Sequence, residues 1–403
     1  MAKKNEPVTE DQKAINERIS RLNSVVGAIN KRYGAPVVMR ASDAVKQGLL
    51  SKRIIPTPSV ELNEALWCGG FCGVVELYGA NSSGKTSLAI DTIVKNQNED
   101  PKFIAGWLET EGSITKEILE DHGVQLDRLI FFRQEDVVNA ENSLDIVRAL
   151  IADGTLDMIV INSVAGLTPS TEAEDDLKKQ NIALTARILS KFFRVANGEA
   201  SKNDVALVFI NQIRDNVGVM YGDTTTTTGG RAIGFYANQR IRMSMLKLQS
   251  GDPILPEEGV KIGFSVKKNR FAGKHNPYTK GEYYAIYGRG IDSTVALPAI
   301  LAKKGIMRNA GAWWYYEDAN GNIITIDGIP GKFKSKKDFV NVLSTNKAWK
   351  DEMMSKVSLV REQSTEEIRE AEEENKAAEE IVAKEQLSDD INDLLEANSN
   401  GNK

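Results

Sequence analysis

Val74-Val75-Glu76-Leu77-Tyr78-Gly79-Ala80-Asn81-Ser82-Ser83-Gly84-Lys85-Thr86-Ser87 is the stretch on which the fold turns. A short, mostly apolar run leads straight into Gly-x-x-x-x-Gly-Lys-Thr, a phosphate-loop pattern that has meaning only between a strand and a helix. Glycine frees the backbone N–H groups to turn toward phosphate oxygens, and the lysine ammonium neutralises the β and γ phosphates. The hydroxyl of Thr86 is of the type that ligates Mg²⁺. Residues Gly79 to Ser87 are therefore the expected nucleotide cradle, with ATP and Mg²⁺ as cofactors.

Outward from this stretch, short apolar runs recur at Phe103 to Leu108, Met158 to Ile161 and Val205 to Ile210, separated by helical periodicity. Such runs predict a mostly parallel sheet covered by helices on both faces, an α/β fold. Arg240 to Met245 and Val260 to Val266 alternate in polarity and are expected as antiparallel strands at a sheet edge. The core is predicted over residues 51–290. Before it, residues 1–50 hold a helix from Asp11 to Tyr33 whose apolar positions Ile15, Ile19, Leu22, Val26 and Ile29 share one face. That face needs a partner, either in the same chain or in a neighbouring subunit. After the core, residues 291–350 form a small mixed domain, with Trp313-Trp314-Tyr315-Tyr316 ahead of an Asn320-Gly321 hairpin turn. Residues 351–403 pass from helical to charged.

Carboxylates just beyond the C-terminal end of a parallel strand face the ligand crevice. Glu109-Thr110-Glu111 holds two such groups, either of which could orient the attacking water. Met158-Ile159-Val160-Ile161-Asn162 ends in an amide where an aspartate normally steadies the magnesium shell, so weak magnesium binding is expected.

Composition narrows the class of protein. No apolar run approaches the length of a membrane span, and the N-terminus lacks a leader-like apolar stretch. A soluble cytoplasmic protein with no membrane partner is expected. Cys68 and Cys72, the only two cysteines, have no further zinc ligands beside them and are expected to be structural. The net charge of -5 conceals an asymmetry: residues 362–396 carry 14 acidic against 3 basic side chains. An acidic tail on a basic body can compete with a polyanion, or can simply be a solubilising end.

Val208-Phe209-Ile210-Asn211-Gln212-Ile213-Arg214, Gly218-Val219-Met220-Tyr221-Gly222 and Thr226-Thr227-Thr228-Gly229-Gly230 strongly resemble bacterial and phage RecA-type recombinases. So do Ser163-Val164-Ala165-Gly166-Leu167-Thr168-Pro169 and Tyr287-Gly288-Arg289-Gly290-Ile291. The resemblance runs from the N-terminal helix to about residue 320. It implies a RecA-like ATPase core, with an N-terminal polymerisation helix and a small C-terminal α+β domain. Function would be ATP-dependent filament formation on single-stranded DNA, with homologous pairing and strand exchange against double-stranded DNA in recombination and repair. Mediator and single-strand-binding proteins would be partners.

By the same resemblance, Glu111 activates water, and Gln212 senses the γ phosphate. Lys268 and Arg270 reach a neighbour's phosphates, while Phe235 packs between subunits. A family aromatic that stacks on adenine is replaced by Ile118. DNA contacts fall on Arg187 and Ile182 in a first loop. A second loop, from Ile213 to Arg231, supplies Arg214, Met220, Tyr221, Thr227, Thr228, Gly229 and Gly230. Lys178 and Lys179 depart from the family's first-loop pattern. A ring helicase with the same core, or a passive single-strand-binding filament, are the competing readings.

Overall fold

Strands buried on both faces require cover on both sides, and their side chains show it: β1 (Val74–Gly79), β2 (Ala105–Glu109) and β4 (Met158–Asn162) are buried throughout. In the computed structural model, which describes residues 10–171, 184–215, 225–249 and 252–357, these strands belong to a ten-stranded sheet. Expectations placed on Ile182, Met220, Tyr221, Lys178, Lys179 and the acidic tail lie outside the described residues.

The sheet is completed by β3 (Leu129–Arg133), β5 (Ala206–Asp215), β6 (Thr225–Thr227), β7 (Gln239–Leu246), β8 (Gly259–Asn269), β9 (Lys280–Ile286) and β10 (Gly290–Ile291). The order is β10-β9-β8-β7-β1-β5-β4-β2-β3, with β6 paired to β5. From β3 through β7 every neighbouring pair in that path is parallel, and from β7 onward the pairs are antiparallel. The fold is thus α/β with a mostly parallel central sheet, but β7 departs from expectation. It lies inside the sheet, parallel to β1, and only its other edge meets an antiparallel partner. Alternating polarity marks a strand with unequal faces, and does not report strand direction. The strand β3 escaped the reading altogether because at the sheet edge only Leu129 is buried.

Helices α1 (Glu10–Tyr33) and α2 (Ala41–Lys46) precede α3 (Val60–Ala65), and α4 (Lys85–Glu99) follows the phosphate loop. On one face of the sheet, Leu88 and Ile93 of α4 and Leu119 of α5 (Lys116–His122) bury against Val75, Leu77 and Trp107. On the other, α6 (Ala140–Asp153), α7 (Leu184–Asn203) and α8 (Arg231–Tyr236) bury Leu144, Leu189, Phe193 and Ile233 against Ile159, Leu207 and Phe209. A third cluster, built on Leu297, Leu301, Phe333, Phe339 and Trp349, holds the C-terminal segment together. There Gly321, at φ 84°, closes a turn in which Glu317 bridges Ile323, and Trp313–Tyr315 pairs with flanking strands on both sides.

The residues divide into two units after Arg53. Within the first, no described side chain from Lys13 to Arg53 is buried, and Ile15, Ile19 and Leu22 on the apolar face of α1 are exposed. Among the described residues no helix is long and apolar enough to cross a membrane.

Candidate nucleotide site and its link to the hairpin

Sheet register assembles the site. Gly79 at the end of β1 pairs with Gln212 on β5, and Glu109 at the end of β2 pairs with Asn162 on β4. Four adjacent parallel strands therefore deliver their C-terminal ends to one crevice, where ligands of open α/β sheets bind.

The phosphate loop is shaped by its glycines. Gly84 caps α4 at φ 81°, a left-handed conformation that costs glycine nothing, and a Cβ at Gly79 would fall 2.2 Å from the Met243 carbonyl oxygen. Lys85 Nζ donates to the carbonyl oxygens of Ala80 (2.7 Å) and Gly79 (3.3 Å), folding back over its own loop. Burial lowers its pKa while the facing Glu111 carboxylate raises it. Lys85 and Thr86, with Asn81 and Ser82, line a cavity of about 410 Å³.

The two carboxylates at and just past the end of β2 are resolved by their partners. Glu109 is only 2% exposed and is saturated: Oε2 accepts from Trp107 Nε1 and Asn162 Nδ2, both at 2.9 Å. Its Oε1 accepts from the backbone of Glu111 and from Ser113. A carboxylate so occupied cannot orient water. Glu111 lines the cavity instead, where its Oε1 accepts from the Ser163 hydroxyl and from Gln212 Nε2 at 2.9 Å. Asn162 is fully buried, and its Oδ1 has no hydrogen-bond partner. Thr86 and this bare acceptor suit a hydrated divalent cation, but both are neutral. Among the described residues no cluster of three or more His, Cys, Asp or Glu could hold a metal.

Adjacent residues of β5 point to opposite faces, and the alternation makes a link. Gln212 faces the cavity, while Asn211 donates to Glu76 Oε1 and to the Thr228 carbonyl oxygen, each at 2.9 Å. The Gln212 N–H donates to Asn211 Oδ1. Glu76, fully buried, accepts in turn from Arg240 Nε at 2.5 Å. One network thus joins the cavity to the end of the stretch from Ile213 to Arg231. Sequence reading missed Asn211, whose role depends on strand register.

That stretch, expected as a loop, has a paired stem: Ile213 and Arg214 on β5 oppose Thr227 and Thr226 on β6. Arg214 is exposed, Thr227 is buried and Thr228 half-buried. Gly229, at φ 84°, has no room for a Cβ beside Leu189, so this glycine is required by the turn. Gly230, also at positive φ, is exposed, as is Arg187 on α7.

Lys268 and Arg270 do not line the nucleotide cavity. They converge on α8, where Lys268 Nζ donates to the carbonyl oxygens of Gly234 and Phe235 at 2.9 Å, and Arg270 donates to that of Phe235. Phe235 itself is 69% exposed, unlike an ordinary core phenylalanine. Burial, then Arg270 and Arg240, push the Lys268 pKa down to about 8. Neither Cys68 nor Cys72 forms a disulfide, and Cys72 is buried in the core.

The RecA N-terminal domain matches residues 20–292. Similar curated proteins named "Protein RecA" include that of Chloroherpeton thalassium, 33% identical over 77% of this chain and 84% of its own length. That of Bacteroides thetaiotaomicron is 35% identical over 76% of this chain and 89% of its own, and that of Thermus thermophilus 35% identical over 73% and 84%. Among solved structures, the RadB recombinase aligns at 21% identity with a TM-score of 0.42, covering 57% of this chain and 94% of its own, too loosely to carry an argument. Matched by the family's own domain over some two thirds of its length, and by bacterial relatives over about three quarters, this chain belongs to the RecA family of recombinases.

Proposed function

We propose that this chain hydrolyses ATP in response to single-stranded DNA, assembles on that DNA as a helical filament, and exchanges strands with homologous duplex. The observation that carries the reading is the contact of Gln212 with Glu111, backed by Asn211 on the Thr228 carbonyl oxygen. A γ phosphate entering beside Glu111 competes for the Gln212 amide. Movement of Gln212 is passed through Asn211 to the hairpin that carries Arg214. Nucleotide and DNA then reinforce each other's binding. Bound Mg²⁺ would supply charge neutralisation of the β and γ phosphates, held by the Thr86 hydroxyl and, through water, by the unpartnered Asn162 Oδ1. Glu111 orients and deprotonates the attacking water, and Lys85 holds the phosphates. Arg187 and Arg214, both exposed, take the DNA backbone without reading sequence. Lys268 and Arg270 act on a neighbour's phosphates, with Phe235 and the exposed face of α1 burying against adjacent subunits. Mediator and single-strand-binding proteins act on the same filament, and the protein works in the cytoplasm.

ATPase assays with and without single-stranded DNA, followed by electron microscopy of the product, test this reading. DNA-stimulated hydrolysis and helical filaments are expected. An unstimulated rate with no polymer would refute it, and strand separation without a homologous partner would favour a ring helicase.

Two further outcomes follow from the geometry. Gln212→Ala should preserve nucleotide binding yet reduce DNA stimulation of hydrolysis to near the basal rate, because the link to Asn211 loses its moving end. Full stimulation in that variant would refute the coupling. Lys268 gives a pH signature. A neighbour's triphosphate favours the charged amine and raises its pKa, so above about pH 8 assembly must take up a proton. ATP-dependent assembly should then weaken by up to about tenfold per pH unit between pH 8 and 10, a dependence that Lys268→Arg should abolish. For the isolated chain the sign reverses: the unfolded lysine holds its proton longer, so this group's contribution to stability rises between about pH 8 and 10.5.

A further inference from the structure

One turn of α4 beyond the phosphate loop, the nucleotide cavity changes character. Ile90, Ile114 and Ile118 are aliphatic, and the ring of His122 lines the same end, four residues after Ile118 on the same face of α5. His122 is fixed there. Its Nδ1 lies 2.5 Å from Asp91 Oδ1, and the other Asp91 oxygen accepts from the Ile291 N–H at 3.0 Å. The Asp91 side chain is 9% exposed and that of His122 24%. Gly290, at φ 74°, brings the turn before Ile291 so close that a Cβ would sit 2.8 Å from Asp91 Oδ2.

A buried carboxylate spent on a backbone N–H and one imidazole nitrogen fixes both the orientation and the tautomer of the ring. In the neutral ring Nδ1 carries the shared proton and Nε2 is left as an acceptor; the Asp91 bond raises the ring's pKa, so this neutral form belongs to higher pH than for a free imidazole. Among the described residues Nε2 has no hydrogen-bond partner. The same arrangement could merely tether α4 to α5. A tether, however, explains neither why the ring lines the cavity nor why its second nitrogen is left bare.

We infer that His122 recognises the base of the bound nucleotide, accepting at Nε2 a hydrogen bond from the exocyclic 6-amino group of adenine, with Asp91 as its positioning residue. This rests on the proposed nucleotide site and deepens it. The phosphates are held by the loop, so discrimination among bases must come from the far end of the cavity. There the aliphatic residues offer apolar contact to any purine, whereas an acceptor nitrogen separates a 6-amino purine from a 6-oxo one.

The test compares ADP with IDP, which differ at the 6-position and are not consumed, by calorimetry on the full-length protein. The wild type should prefer ADP by about five- to tenfold, the worth of one partly buried hydrogen bond. His122→Ala and His122→Phe should both collapse that ratio toward one, mainly by weakening ADP, and the phenylalanine keeps the bulk should alanine disturb the fold. His122→Gln, whose carbonyl oxygen can accept, should restore part of it. The chain has only two histidines, so the ring nitrogens of His122 can be followed by ¹⁵N NMR. Nε2 should shift with ADP and much less with IDP, and Asp91→Ala should erase the difference. A pure tether would move melting temperature without moving the ratio, which overturns the inference. Equal weakening of both nucleotides by His122→Ala overturns it too. Lys85→Ala separates the two readings: if it abolishes binding of both nucleotides while His122→Ala changes neither, only the base contact falls. If both variants bind normally, the nucleotide site falls as well.

Discussion

Glu111→Gln should leave ATP bound, the filament long-lived and hydrolysis reduced by about 10²–10⁴, the usual contribution of a positioned general base. Glutamine retains the length of the side chain and an oxygen able to accept from Ser163 or Gln212, so the cavity should keep its shape. What it removes is the capacity to take a proton from water. Phosphate release on single-stranded DNA measures the loss, and nucleotide affinity in the same variant shows that binding survives. Because nucleotide and DNA reinforce each other's binding and the variant keeps its ATP, it should also dissociate from DNA more slowly than the wild type. A rate within a few-fold of the wild type would transfer the role away from Glu111. Glu109 is no substitute, since five donors already occupy its two oxygens.

The pair Glu109 and Glu111 marks where reading the sequence stops. Strand, turn and helix around the phosphate loop were legible because each is dictated locally: an apolar run, glycines at left-handed positions, and a helix start. Position at the end of β2 was legible too, which brought both carboxylates to the crevice. Which of them was free to act was not, because that depends on Trp107, Asn162 and Ser113, and only β2–β4 register brings Asn162 beside β2. The same holds for His122, whose partner Asp91 lies 31 residues earlier, and for Asn211, whose contacts with Glu76 and Thr228 exist only once β5 lies beside β1. Alternation in Arg240 to Met245 gave a strand but not its direction, since β7 meets a parallel neighbour on one edge and an antiparallel one on the other. Composition alone would place Phe235 in the core, and only the family resemblance, which puts it between subunits, anticipated its exposure.

Asn162→Asp, the change that would place a carboxylate where a magnesium-shell aspartate is normally expected, should destabilise this protein. Asn162 Nδ2 donates to the buried Glu109 at 2.9 Å, so aspartate would replace a donor by a second negative charge at hydrogen-bond distance. Two carboxylates that close cannot both ionise, and the loss should be about 2–4 kcal/mol at neutral pH. The sign with pH follows: one folded carboxyl pKa rises above its unfolded value, so the defect should shrink on acidification as a shared proton restores a hydrogen bond. Melting midpoints from pH 5 to 8 measure this, and a midpoint equal to wild type at neutral pH would contradict it. Adding Glu109→Gln should recover part of the stability, because the new amide can donate to the carboxylate introduced at position 162. Recovery should be incomplete, since that amide nitrogen takes the place of the oxygen that accepts from Trp107 Nε1. In the double variant the single negative charge moves from Glu109 to position 162, where the wild-type Oδ1 lies unpartnered. The magnesium concentration that half-saturates hydrolysis should therefore fall. A half-saturating magnesium concentration equal to that of the wild type would remove position 162 from the proposed magnesium site.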